Sequence, residues 1–175
     1  MGKFYTALGL MSGTSLDGVD VSIIKSDGMR DYSVVLNKFY EYENELYEKI
    51  SELRSSIANS NDLIRYLKQI ESVEKEITLF NSKAVNETLK LTKQKIDVIG
   101  FHGQTIFHDA SNSITRQLGD GKLLSQLTKT KIVYNFRQND LDNGGQGAPL
   151  TPIFHNLIAN KISKKFHIEF PINIL

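Results

Sequence analysis

Four stretches of the chain carry residue types that do chemistry. The first, Ser12-Gly13-Thr14-Ser15-Leu16-Asp17-Gly18-Val19-Asp20, sets small and hydroxyl side chains between two apolar runs. Glycine permits close approach, and successive backbone N–H groups in a tight turn form a concavity that suits phosphate. Asp17 or Asp20 could then reach a phosphate-bound Mg²⁺, directly or through water. The stretch is not a Walker loop, because it joins two strands and has no lysine where that loop needs one. A plain hairpin turn uses the same residues, and composition does not choose between the two accounts.

The second stretch, His102-Gly103-Gln104-Thr105, follows a β-branched run at residues 96–101. The carboxyl end of a strand is where ligands gather in open α/β sheets. A histidine that only bonds a neighbouring loop would read the same way. The third is Leu118-Gly119-Asp120, and the fourth runs from Phe136-Arg137 through Asp140 into the glycine-rich residues 143–149. Arg137 offers a planar fork that binds carboxylates bidentately, unless an ion pair with Asp140 occupies it. Asp140 could orient a sugar hydroxyl, with the glycines after it letting backbone approach a ligand. The spacing of His102, His108, Asp109 and Asp120 matches no metal motif. A hydrolase built from Ser12 or Ser15 with His102 lacks the nucleophile elbow it would need.

Composition narrows the function classes. Over 175 residues, 21 Lys+Arg face 20 Asp+Glu, a net charge of +1 that argues against a nucleic-acid partner, since phosphate backbones are gripped by a marked basic excess. With 40% hydrophobic and 23% charged residues the chain should bury a core of its own. No cysteine is present, which removes disulfides, thiolate catalysis and sulfur-built zinc sites and fits a reducing, cytoplasmic location. No apolar run is long enough to span a bilayer, so no membrane association is expected.

The elements that must position these stretches follow from periodicity. Residues 4–11, 19–25 and 32–40 have strand character and are separated by turn signals at Ser12-Gly13 and Asp27-Gly28, which predicts a three-stranded meander. Leu46, Ile50, Leu53 and Ile57, then Leu63 to Leu89, recur at helical spacing, with Ser60, Asn61 and Asp62 expected to supply the second cap. Residues 96–101 and 131–136 read as strands, 121–130 as a short helix between them, and 151–161 as a capped helix with Pro152 in its first turn. Residues 168–175 have the composition of a buried strand with no stop signal, so further chain is expected after it. The sum is an α/β domain.

In order and spacing, Gly9 to Asp20, Gly100 to Thr105, Leu118 to Asp120, and Phe136 to Leu150 with Pro152, Phe154 and His155 closely resemble the anhydro-N-acetylmuramic acid kinases. That resemblance implies an actin-like ATPase, ribonuclease H-like fold, with an N-terminal β-meander, helices and a mixed sheet, and with its second domain truncated. It implies a kinase that uses ATP and Mg²⁺ to open the anhydro bridge of 1,6-anhydro-N-acetylmuramic acid, giving N-acetylmuramic acid 6-phosphate in peptidoglycan recycling. By the same resemblance Gly13, Thr14, Ser15, Leu16, Asp17, Gly18, Val19 and Asp20 hold the nucleotide phosphates, with Asp17 toward the metal. His102, Asp120, Arg137 and Asp140 would face the small-molecule sugar.

The family's water-activating aspartate is expected beyond Leu175, so no catalytic residue is assigned here. Residues 1–150 then correspond to the first domain and 151–175 to the start of the connection to the second. A second copy, or a separate C-terminal half, is the protein partner this arrangement calls for. An inactive truncated remnant with weak sugar or phosphate binding is the alternative reading.

Overall fold

Side-chain alternation in the first strands decides which face of the sheet is covered. The computed structural model describes residues 3–167, so the strand expected at 168–175 lies outside the described residues. β1 (Tyr5–Met11), β2 (Gly18–Ser26) and β3 (Tyr32–Glu41) form the expected antiparallel meander. β4 (Val98–Phe101) joins β1 in parallel, and β7 (Ile132–Val133) joins β4 in parallel, giving the order β3-β2-β1-β4-β7. On one face Leu8, Leu10, Val19, Val21, Ile23, Ile99 and Phe101 are buried together. Each such side chain contributes roughly 1.5–3 kcal/mol relative to an exposed one.

Helices supply the other half of that core. α1 (Asn44–Ser56) brings Leu46, Ile50 and Leu53, and α3 (Leu67–Lys90) brings Ile70, Val73, Ile77 and Val85. α4 (Gly121–Thr128) adds Leu124. Among the described residues the opposite face of the sheet is open: Ala7, Ser22, Ile24, Val34, Val98 and Val133, with Phe154 of α6 (Pro152–Phe166), line a cavity of about 670 Å³.

Several sequence expectations are corrected. The second helical run is broken at Tyr66 (φ −100°, ψ 18°) into α2 (Ser60–Arg65) and α3. Its cap is Asn59, one residue earlier than expected; the Asn59 side chain accepts a backbone N–H, and Asp62 answers by accepting the Asn59 N–H at 3.1 Å. The strand expected at 131–136 shrinks to β7, because Phe136 already begins α5 (Phe136–Asp142). Arg137 and Asp140 therefore sit on a helix rather than on a loop after a strand. A hairpin, β5 (Gln104–Asp109) with β6 (Ile114–Leu118), was not anticipated. Pro152 starts α6 as expected, but Thr151 makes no side-chain cap bond.

Gly121 shows how closely these pieces meet. A Cβ there would run into the ring of Tyr134, which leads from β7 into α5, so the absent side chain lets α4 and the α5 approach pack together. Gly121→Ala is expected to cost about 1–3 kcal/mol by overpacking, read as a lower denaturant midpoint with unchanged slope.

Candidate functional site

The turn between β1 and β2 is held by its carbonyls. Gln104 Nε2 donates to Gly13 O (3.1 Å), Arg54 Nη1 to Thr14 O (2.9 Å), and the Tyr42 amide to Asp17 O (2.9 Å). Leu16 adopts φ 60° and is 6% exposed; its side chain plugs the core beneath the turn and offsets the cost of the left-handed backbone. Ser12 Oγ and the Tyr42 hydroxyl share a buried hydrogen bond of 2.9 Å, and burial pushes the Tyr42 phenol up to about 12 despite it. The amides of Gly13, Thr14 and Ser15 have no acceptor among the described residues. Such a row of free N–H groups is an anion-binding geometry.

Thr14, Ser15 and Asp17 are exposed at the rim of this turn. Ser15 Oγ donates to Asp17 Oδ1 at 2.7 Å, which leaves Oδ2 of that carboxylate for a cation or its water shell. Asp20 pairs with Met11 across the meander and projects to the open sheet face, away from Val19 and Val21. Gly18 must lack a side chain, since a Cβ would strike the Tyr40 carbonyl. Among the described residues no group of three or more His, Asp or Glu could hold a metal unaided.

His102 follows β4 immediately, and its amide donates to Leu10 O at 3.3 Å, beside the end of β1. Arg137 Nε donates to His102 Nε2 (2.8 Å), so Nδ1 carries the ring proton and donates to Gly103 O (2.7 Å). Arg137 also donates through Nη1 to Gly147 O (2.7 Å), and Asp140 Oδ2 accepts the Gly147 N–H (2.8 Å). Arg137 and Asp140 do not pair with each other; a turn apart on α5, they hold Gly147 from both sides. Gly147 has φ 69° and no room for a Cβ, which would lie 2.9 Å from His108 Cε1. His102, Asp140, Phe136, Asn139, Asn143 and Leu150 line an open cavity of about 490 Å³.

Asp120 behaves differently. Its carboxylate caps α4, accepting the Lys122 and Leu123 N–H groups at 2.8 and 3.0 Å. Its own amide donates to Thr78 Oγ1 (2.9 Å), while Gly119 N donates to Glu74, itself paired with Arg116 at 3.0 Å. That turn is tied to α3, and Asp120 does not line the cavity beside His102. The structure thus unites His102, Arg137 and Asp140, joins them to the Gly13 turn through Gln104, and leaves Asp120 in a capping position. Gln104, Asn139 and Gly147 were not singled out from sequence. Gln104 had a signal in its place beside His102-Gly103, and Gly147 in the glycine-rich stretch after Asp140.

No helix among the described residues is long and apolar enough to cross a membrane. Comparison with known proteins gives one family. The profile described as anhydro-N-acetylmuramic acid kinase matches residues 5–169. Proteins of that description resemble the chain: one from Pelagibacter ubique (strain HTCC1062) is 53% identical over 161 residues, covering 92% of this chain and 43% of its own. One from Gluconobacter oxydans (strain 621H) is 42% identical, covering 89% and 42%. One from Rhizobium etli is 37% identical, covering 97% and 46%. The chain spans about half the length of the curated relatives it matches.

The His102 bonds set a pH dependence. Burial holds the imidazole below its ordinary 6.5, and the Arg137 charge acts in the same direction against the Gly103 carbonyl. As pH falls through 6.5, the unfolded chain takes up a proton that the native site refuses, so stability is complete above that pH and declines below it. Unfolding midpoints of wild type and His102→Gln between pH 8 and 5 should diverge at high pH and converge on acidification; parallel curves would remove His102 as the source.

Proposed function

The chain belongs to the anhydro-N-acetylmuramic acid kinase family, and from that premise we propose that it furnishes the phosphate cradle and one sugar wall of an ATP-dependent sugar kinase. The reaction is opening of the bridge in 1,6-anhydro-N-acetylmuramic acid with phosphorylation to N-acetylmuramic acid 6-phosphate. The observation that carries this reading is the hydrogen bond from Gln104 to Gly13, which sets the row of free amides beside the His102–Arg137–Asp140 wall. Donors for a phosphate and groups suited to a polyhydroxylated ligand then adjoin one another.

In this chemistry water adds to the anomeric carbon, the bridge C–O bond breaks, and the released oxygen takes the γ-phosphoryl group while ADP leaves. The Gly13, Thr14 and Ser15 amides would hold phosphate oxygens. Asp17 would hold Mg²⁺, whose charge offsets that of the phosphates when bound. Leu16, Gly18 and Val19 act through the backbone they set, and Asp20 extends the segment toward the open face. The spare N–H groups of Arg137 and the second carboxylate oxygen of Asp140 would bond the sugar, and His102 would orient Arg137. Asp120 would reach the sugar only through the turn it caps. None of these carboxylates is assigned as the base that activates water.

A cytoplasmic location fits the cysteine-free sequence. A separate C-terminal half or a second copy would supply the remaining walls. Binding without turnover by this chain alone is a second reading, favoured by the sheet face next to β4, which is uncovered among the described residues.

Calorimetric titration of the chain with Mg·ATP and with 1,6-anhydro-N-acetylmuramic acid should show both bind. Arg137→Lys, which loses the fork, should weaken the sugar about tenfold and leave Mg·ATP unchanged. Asp17→Asn should raise the Mg²⁺ concentration needed for nucleotide binding and spare the sugar. A chain that binds neither ligand overturns the proposal, and ADP release coupled to sugar consumption by this chain alone overturns the second reading.

A further inference from the structure

Among the described residues two buried side-chain polar atoms lack a hydrogen-bond partner, Asn81 Oδ1 within α3 and Gln104 Oε1. Asn81 lies in a helix whose neighbours are core residues. Gln104 lies elsewhere: it opens β5 directly after the His102–Gly103 turn and is 1% exposed. Its Nε2 donates to Gly13 O at 3.1 Å and weakly to Thr105 O at 3.5 Å. The amide cannot be turned over, since that would set Oε1 against the Gly13 carbonyl, so the carbonyl end is the free one. A buried acceptor with no donor destabilises the fold, and its presence at the seam of two loops asks for a partner that the protein itself does not supply.

We infer that Gln104 Oε1 is a ligand acceptor that takes a hydrogen bond from a hydroxyl or amide N–H of the bound sugar, between the phosphate turn and the His102 wall. This rests on the reading under Proposed function. Phosphate oxygens at neutral pH only accept hydrogen bonds, so nucleotide phosphates cannot satisfy Oε1, whereas an amino sugar carries several donors. Gln104 is 1% exposed, so the loops around it must open for the donor to arrive. The contacts that hold Gly13 O are the Gln104 bond and a long one from Leu16 N at 3.4 Å. Sugar binding and the placing of the free amides are then linked through one side chain.

The test uses the 175-residue chain as wild type, Gln104→Met and Gln104→Glu, titrated separately with 1,6-anhydro-N-acetylmuramic acid and with Mg·ATP, with the ligand-free Tm of each. Gln104→Met keeps length and removes both polar ends. It should bind the sugar about tenfold more weakly, while Arg54 and Tyr42 still hold the turn and keep the Mg·ATP loss to about threefold or less, and its Tm should stay near wild type because the unmet acceptor and the Gly13 bond leave together. Gln104→Glu keeps an acceptor oxygen but sets a buried carboxylate against the Gly13 carbonyl, so it should lower the Tm and weaken both ligands, the pattern of a disturbed turn from which Gln104→Met must differ. Unchanged sugar binding by Gln104→Met overturns the inference, as does a joint fall of Tm and both affinities, which would mark a purely structural clamp. Loss confined to Mg·ATP overturns it in favour of a metal-bound water as donor. Wild type that binds neither probe overturns the functional reading itself and this inference with it.

Discussion

Parallel pairing of β1 with β4 is the constraint from which the site follows. Leu10 lies opposite Phe101, so both strands end at one edge of the sheet, and the loops that leave them must be neighbours. Residues 12–17 and 102–103 are far apart in sequence yet share that edge because the buried faces of both strands dock on the same helices. Had β4 run antiparallel, His102 would lie at the opposite end, and no choice of loop residues would restore the cleft.

Polar bonds then refine what the hydrophobic layer places. The turn after β1 spends its carbonyls on Gln104, Arg54 and Tyr42, while the N–H groups of Gly13, Thr14 and Ser15 have no acceptor among the described residues. On the other side Arg137 is used three ways: it fixes the His102 tautomer, grips the Gly147 carbonyl and keeps spare N–H groups. Burial lowers the guanidinium from its ordinary value without removing its charge, so the wall stays cationic across the neutral range. Asp140 fixes the same glycine from its amide. Each residue with a proposed ligand role thus also holds local backbone in place.

The meander, the long helical stretch and the strand before His102 were legible because period-2 and period-3.6 patterns report burial directly. Asp17 and Arg137 stood out by type. What sequence could not give was partnership. Arg137 beside Asp140 reads as an ion pair, yet helix α5 spaces them so that each meets Gly147 instead. Asp120 reads as a ligand residue but satisfies the first amides of α4. The β5–β6 hairpin was missed because its residues mix polar and apolar types without clean alternation, and β7 was overdrawn because residues 131–136 are mostly β-branched and aromatic, while Asn135, left-handed and without a side-chain cap bond, turns the chain into α5.

The open side of the sheet has a thermodynamic consequence. Among the described residues nothing covers the apolar atoms of Ala7, Ile24, Val34, Val98 and Val133, so unfolding of this part hydrates less new hydrocarbon than its size alone would require. The heat-capacity increment should fall below the usual 12–15 cal/mol/K for each residue, flattening the curve of stability against temperature and widening the range over which the fold persists with a shallow maximum.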